Sequence, residues 1–162
     1  MSIENDIQNK IIEVIKSVNK SIPIECSEIY INIEMSEDGG GVYFDFKSSK
    51  DDKFYYSLMI GGQFKVDEIQ LERLFDIQFE LGYDLWKIFK DNHLPTWESV
   101  VISVIRDRMS TTFDYTPWSK YNYGPTDRRN FFKYKYLGFK PRSDKEAQNF
   151  KEMEEFQKKY NN

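Results

Sequence analysis

The sequence predicts an α+β fold: a single domain, residues 1–162, with an antiparallel sheet of about five strands and helices packed on one face. Three observations carry this expectation. The hydrophobic period changes from helical to alternating after Pro23 and returns to helical after Gly61-Gly62. The first strands are joined by short turns, as in an antiparallel meander. The elements follow the order α-β-β-β-α-β-β-α-α, which groups strands together instead of alternating them singly with helices.

The opening helix places Ile3, Ile7, Ile11, Val14, Val18 and Ile22 at spacings of three and four, with Lys10, Glu13, Lys16 and Asn19 turned to water. Pro23 ends it. Ile29, Ile31, Ile33 and Met35 then alternate with Tyr30, Asn32 and Glu34, the pattern of a half-buried strand. Residues 36–41 (SEDGGG) supply a glycine turn. Val42, Phe44 and Phe46 continue the alternation, and residues 54–60 (FYYSLMI) give a third strand. A long helix is expected over residues 67–91, with Ile69, Leu74, Ile77, Leu81, Leu85 and Phe89 as its apolar stripe and Gly82 as a weak point within it. Pro95 stops that helix, and residues 97–115 read as two further strands. Residues 127–137 suit a short helix with Thr126 as N-cap, Gly138 just past its end and Pro141 beyond, although the alternation of Phe132, Tyr134 and Tyr136 also suits a strand. Residues 144–160 form a charged last helix.

Composition narrows the function classes. A 40% apolar and 17% aromatic content belongs to a folded chain. Glu4, Asp6 and Lys10 interrupt the opening isoleucines, and no apolar run reaches the roughly 20 residues of a membrane span, so a soluble, unexported, cytoplasmic protein is expected. Cys26 is the only cysteine and is expected to be free and buried. Charge is unevenly spread: residues 1–100 hold 19 acidic against 10 basic side chains, and residues 101–162 hold 8 against 13. Such a split marks a charged partner or two ends of a fold that neutralise each other.

Catalytic signatures are scarce. His93, the sole histidine, lies beside a helix stop, where a helix-terminal cation or a surface residue is the expected role. The glycine turn lacks the strand-to-helix context and the Lys-Ser/Thr of a phosphate loop. Asp51-Asp52 are adjacent acids in a turn, which are ordinarily solvated. Neither an enzyme, nor a metal, nor a cofactor is expected.

Two charge patterns stand out. Glu68, Glu72, Asp76, Glu80 and Asp84 recur every fourth residue along the long helix. Each like-charged i,i+4 pair costs about 0.2–0.5 kcal/mol, so the row costs about 1–2 kcal/mol before relief from Arg73 and Lys87. The row is either a solvated face or an acidic surface shaped for a basic partner. The second pattern is the basic-aromatic run of residues 128–142, where Arg128, Arg129, Lys133, Lys135, Lys140 and Arg142 stand among Phe131, Phe132, Tyr134, Tyr136 and Phe139. Cations track phosphates and rings stack on bases, so a single-stranded nucleic-acid binding module is the alternative reading of the chain.

Pro95-Thr96-Trp97, the FDYTPW stretch of residues 113–118 and RRNFFKYKYLGFKP of residues 128–141 together resemble the YezG/EsaG-type antitoxins. The amphipathic first helix, the SIPIE segment after it and the strand pair around DGGG extend the likeness over nearly the whole chain. These antitoxins are bacterial immunity proteins, each cognate to a nuclease toxin. The resemblance brings no catalytic or binding residue to any position. It implies a cytoplasmic antitoxin that neutralises its partner by protein–protein inhibition. The partner would be the nuclease domain at the C-terminus of a large secreted protein, with no membrane role and no direct binding of nucleic acid. A nuclease groove is electropositive, and carboxylates can stand in for phosphates there. The expected toxin-binding residues are therefore Glu68, Glu72, Asp76, Glu80 and Asp84, with the turn acids Glu37, Asp38, Asp51 and Asp52. Under this reading the basic-aromatic run is an internal part of the fold. A second toxin-binding surface and direct nucleic-acid contact are its alternatives.

Overall fold

The apolar spacing from Ile3 onward makes helix α1, Ile3–Ser21, in the computed structural model, which describes residues 2–161. Ser2 Oγ caps it by accepting the Asn5 N–H at 3.1 Å. Strands β1 (Cys26–Ser36) and β2 (Gly39–Ser48) follow and pair antiparallel, with Ile31 opposite Phe44 and Ile33 opposite Val42. The glycines expected as a turn belong instead to β2, and the turn itself is Glu37-Asp38. Strand β3 (Phe54–Tyr56) pairs with β2, β4 (Ser99–Ile105) pairs with β1, and β5 (Arg108–Asp114) closes the order β3-β2-β1-β4-β5.

The third strand is shorter than expected. After Tyr56 the chain turns into a 3-10 segment, Ser57–Met59, and a single-turn helix α2, Ile60–Gln63. Ser57 Oγ accepts the Phe44 N–H at 3.1 Å, ending the ladder with a side chain in place of a backbone partner. Leu58 and Met59 are consequently exposed, and only Ile60 turns into the core.

Alternation along the strands puts Ile31, Ile33, Phe44, Val100 and Ile102 on one face, all with no solvent exposure. Helix α3 (Glu68–Asp91) covers that face, and α1 packs against α3. Its Phe75 ring meets Phe44 edge-on at 6.3 Å between centroids. Gly82 is no weak point: a Cβ there would stand 2.8 Å from Val42 Cγ2 and 3.1 Å from Ile33 Cγ2, so the bare backbone lets the helix approach the sheet. The buried stripe is Leu71, Leu74, Gln78, Gly82, Leu85, Trp86 and Phe89. Ile69 and Ile77, expected in that stripe, are exposed instead, and Leu81 is only half-buried. Gln78 earns its interior place by donating to Ser17 O and Ser21 Oγ of α1, both at 3.2 Å.

His93 takes a left-handed conformation (φ 56°) just past α3, where its N–H bonds to Lys90 O and the Leu94 N–H to Phe89 O. Cys26 is free and half-buried, less enclosed than expected; burial, then the charge of Glu25, pushes its thiol up from the ordinary value.

The chain forms two compact units, the first running to Phe113 and the second starting at Asp114. In the second, α4 (Pro125–Leu137) and α5 (Asp144–Lys158) enclose a small core of Trp118, Phe131, Phe150 and Met153. Helix α4 starts earlier than expected. Gly124, not Thr126, is its N-cap, and Pro125 at the first helical position supplies a pre-set φ. Gly138 ends it at φ 76°, as its spacing implied. Asp114 ties the unit together: Oδ1 accepts from Thr116 N, Thr116 Oγ1 and Asn161 Nδ2, and Oδ2 from Trp118 Nε1 and Gln157 Nε2.

Candidate functional site

Helix α3 presents all five acids of the row to solvent. Asp67 caps its start by accepting from Ile69 N and Gln70 N, and Glu68 in the first turn complements the helix dipole. A four-residue step overshoots one turn by about 40°, so the row from Glu68 to Asp84 climbs about 24 Å while slanting around the helix. Asp76 and Glu80 lie opposite the buried stripe, Glu72 and Asp84 stand to either side of them, and Glu68 lies toward a flank. Asp84 lies 4.0 Å from Lys10 of α1. Among the described residues Glu72, Asp76 and Glu80 make no ion pair, so the middle of the row keeps its charge toward water.

The turn acids do not join this row into one site. Glu37 and Asp38 sit at the tip of the β1–β2 hairpin, where Glu37 pairs with Lys90 in the last turn of α3. That hydrogen bond first, and the ammonium charge second, hold the Glu37 carboxyl below the usual range. Asp51 and Asp52 lie beyond the other end of β2, about 30 Å away for a strand of that length. Asp51 accepts from Lys53 N at 3.0 Å and from Tyr55 Oη at 2.8 Å, and these bonds lower its carboxyl too. Asp52 adopts φ 57°, a turn geometry. Both Asp51 and Glu37 are thus already engaged within the fold, whereas the middle of the row is not.

Much of the basic-aromatic run packs within its own unit along and just after helix α4. Phe131 and Phe132 are buried, and Tyr134 stacks on Phe150 at 4.7 Å. Lys135 lies over the Phe131 ring at 5.7 Å and bonds Gln157, and Lys133 lies over Phe139 at 5.3 Å. Arg142 meets the Glu146 carboxylate at 2.7 Å. Burial pushes the Tyr136 hydroxyl up to about 12 and Lys135 down. Base stacking needs open ring faces; within this run Phe139 alone is a strongly exposed ring, and the others serve packing.

Sequence reasoning missed Ile69 and Ile77, which share the outward side of α3 with the acids. The signal was present in Gln78 and Gly82: a stripe that includes them is in phase with Leu71, Leu74 and Leu85, and leaves both isoleucines outside.

Among the described residues no group of three His, Cys, Asp or Glu is placed to hold a metal ion, and no helix is long and apolar enough to cross a membrane. Helix α3 thus presents an acidic, solvent-facing surface on an α+β scaffold. Residues 5–151 match the family described as immunity protein YezG-like, and the chain belongs to that family. It is similar to the type VII secretion system protein EsaG of Staphylococcus aureus, 24% identical over 96% of both chains. It is also similar to the immunity protein YezG of Bacillus spizizenii, 27% identical over 80% of this chain and 81% of the relative.

Proposed function

We propose that this chain is a non-enzymatic antitoxin of the cytoplasm, acting as one immunity domain. It binds and neutralises a cognate nuclease toxin, the C-terminal domain of a large secreted protein, through the acidic face of α3. The observation that carries this reading is the unpaired, solvent-facing middle of the row, Glu72, Asp76 and Glu80, on a member of an immunity-protein family. A nuclease must hold polyphosphate, so its active surface is cationic. Carboxylates at helical spacing oppose such a surface, speed encounter and penalise neutral or acidic competitors. The turn acids Glu37, Asp38, Asp51 and Asp52 are secondary contacts in this scheme, because two of them already serve internal bonds.

Co-expression tests it. Bacteria producing the nuclease domain encoded beside this chain should survive only when the chain is present, and the two proteins should co-elute. Survival without complex formation would contradict direct inhibition. The isolated chain, given DNA or RNA with Mg²⁺ or Mn²⁺, should cleave neither. Turnover lost on changing one Asp or Glu would show an enzyme instead.

A further inference from the structure

We propose that the outward face of α3 docks its partner through Ile69 and Ile77 set among the carboxylates, so that the partner's surface is basic and also carries apolar seats. This deepens the proposed function and rests on it. Ile69 is 68% exposed and Ile77 45%. They stand eight positions apart, about two turns or 12 Å along the axis. Ile69 points away from the buried side of the helix, Leu71, Leu74, Gln78 and Leu85, and Ile77 stands at the edge of the exposed side. Arg73 and Asp76 lie between the two isoleucines, and Glu72 and Glu80 flank them. A β-branched side chain at a water-facing helix position loses rotamer freedom, and neither isoleucine is among the buried core residues, so neither helix formation nor the core accounts for this pair. Single exposed apolar residues are ordinary; apolar residues two turns apart inside a charged frame are the pattern of an anchor with a polar rim.

Charge selects the occupant. Between residues 72 and 84 this helix carries Glu72, Asp76, Glu80 and Asp84 against the single cation Arg73. A two-fold pairing of this face with a second copy would set acids against acids. Nucleic acid and anionic lipid are repelled by the same field. A cationic protein surface is complementary to it. Phosphate mimicry alone requires only carboxylates. The isoleucines extend the contact from the toxin's phosphate-binding cations onto apolar surface beside them.

The experiment compares three proteins by surface-binding kinetics against the purified nuclease domain encoded beside this chain: wild type, I69S/I77S and E72Q/E80Q. Sedimentation and thermal melting are run in parallel, and the exposed sites should leave Tm within about 2 °C. The isoleucine variant should dissociate at least about tenfold faster, with its association rate and salt dependence unchanged. The carboxylate variant should associate more slowly, with a flatter salt dependence. Unchanged dissociation of a folded I69S/I77S overturns the anchor proposal while leaving the proposed function standing. So does a wild-type homodimer that this variant splits. No binding by the folded wild type overturns both.

Discussion

At position 82 one methyl group decides how close α3 comes to the sheet. Alanine would gain about 1 kcal/mol of helix propensity, but its Cβ meets Val42 and Ile33 inside normal contact distance. Overpacking of this kind costs about 1–3 kcal/mol, so, net of that gain, Gly82→Ala should lose up to about 2 kcal/mol in urea unfolding. A more stable variant would show that the two methyls move aside freely. Asp114 makes a second single-residue case. Its two oxygens accept five hydrogen bonds, and an amide would turn one acceptor into a donor facing other donors. Asp114→Asn should cost about 2–3 kcal/mol, read from the same unfolding curves. Glu37 is one source of pH dependence, alongside Asp51 and Glu146, whose carboxyls are lowered in the same direction. Because Lys90 depresses the folded value of Glu37, its stabilising contribution is present above the unfolded glutamate value and disappears as pH falls through the folded one. Wild type and Glu37→Gln should therefore differ in Tm at pH 7 and converge as the pH drops below about 4. A gap that widens in acid would contradict the Lys90 pairing.

Each element shows how much could be read in advance. Strand β1 was legible because Ile29, Ile31, Ile33 and Met35 alternate with polar residues and one face is covered. Strand β3 was not, because FYYSLMI is apolar or aromatic at every position but Ser57, and its end is set by that serine, which bonds a residue 13 positions away in β2. The start and end of α3 were legible in Asp67 and the residues before Pro95. Its phase was not, because two of its core positions are Gln78 and Gly82, and only their partners on α1 and the sheet explain them. The acidic row was visible as a four-residue repeat, but the isoleucines beside it were hidden by that same error of phase. The row gives a prediction at this scale. The triple variant E72K/D76N/E80K removes like-charge repulsion and touches no buried residue, so helical circular dichroism should hold and Tm should not fall. Association with the nuclease domain should slow by about tenfold or more at low salt. A folded variant that protects cells as well as the wild type would mark the row as merely solvated and shift attention to Asp38 and Asp52.

Over the whole molecule, residues 1–100 carry an excess of acids and residues 101–162 an excess of cations, and each compact unit uses its charges differently. The first holds an acidic helix toward solvent. In the second, Lys133, Lys135 and Arg142 lie over rings or beside side-chain acceptors of their own unit, which is why a run that reads as a nucleic-acid binder in sequence serves the fold. The purified chain should accordingly retain no oligonucleotide at physiological salt, and Tyr134→Ala should lower stability by loosening its stack on Phe150. The central claim is inhibition by a protein surface, and a titration of purified nuclease domain with this chain tests it most directly. Cleavage of DNA and RNA should fall linearly and reach zero near one equivalent, with excess metal ion failing to restore it. Cleavage that persists at full rate in a large excess of the folded chain would contradict the account.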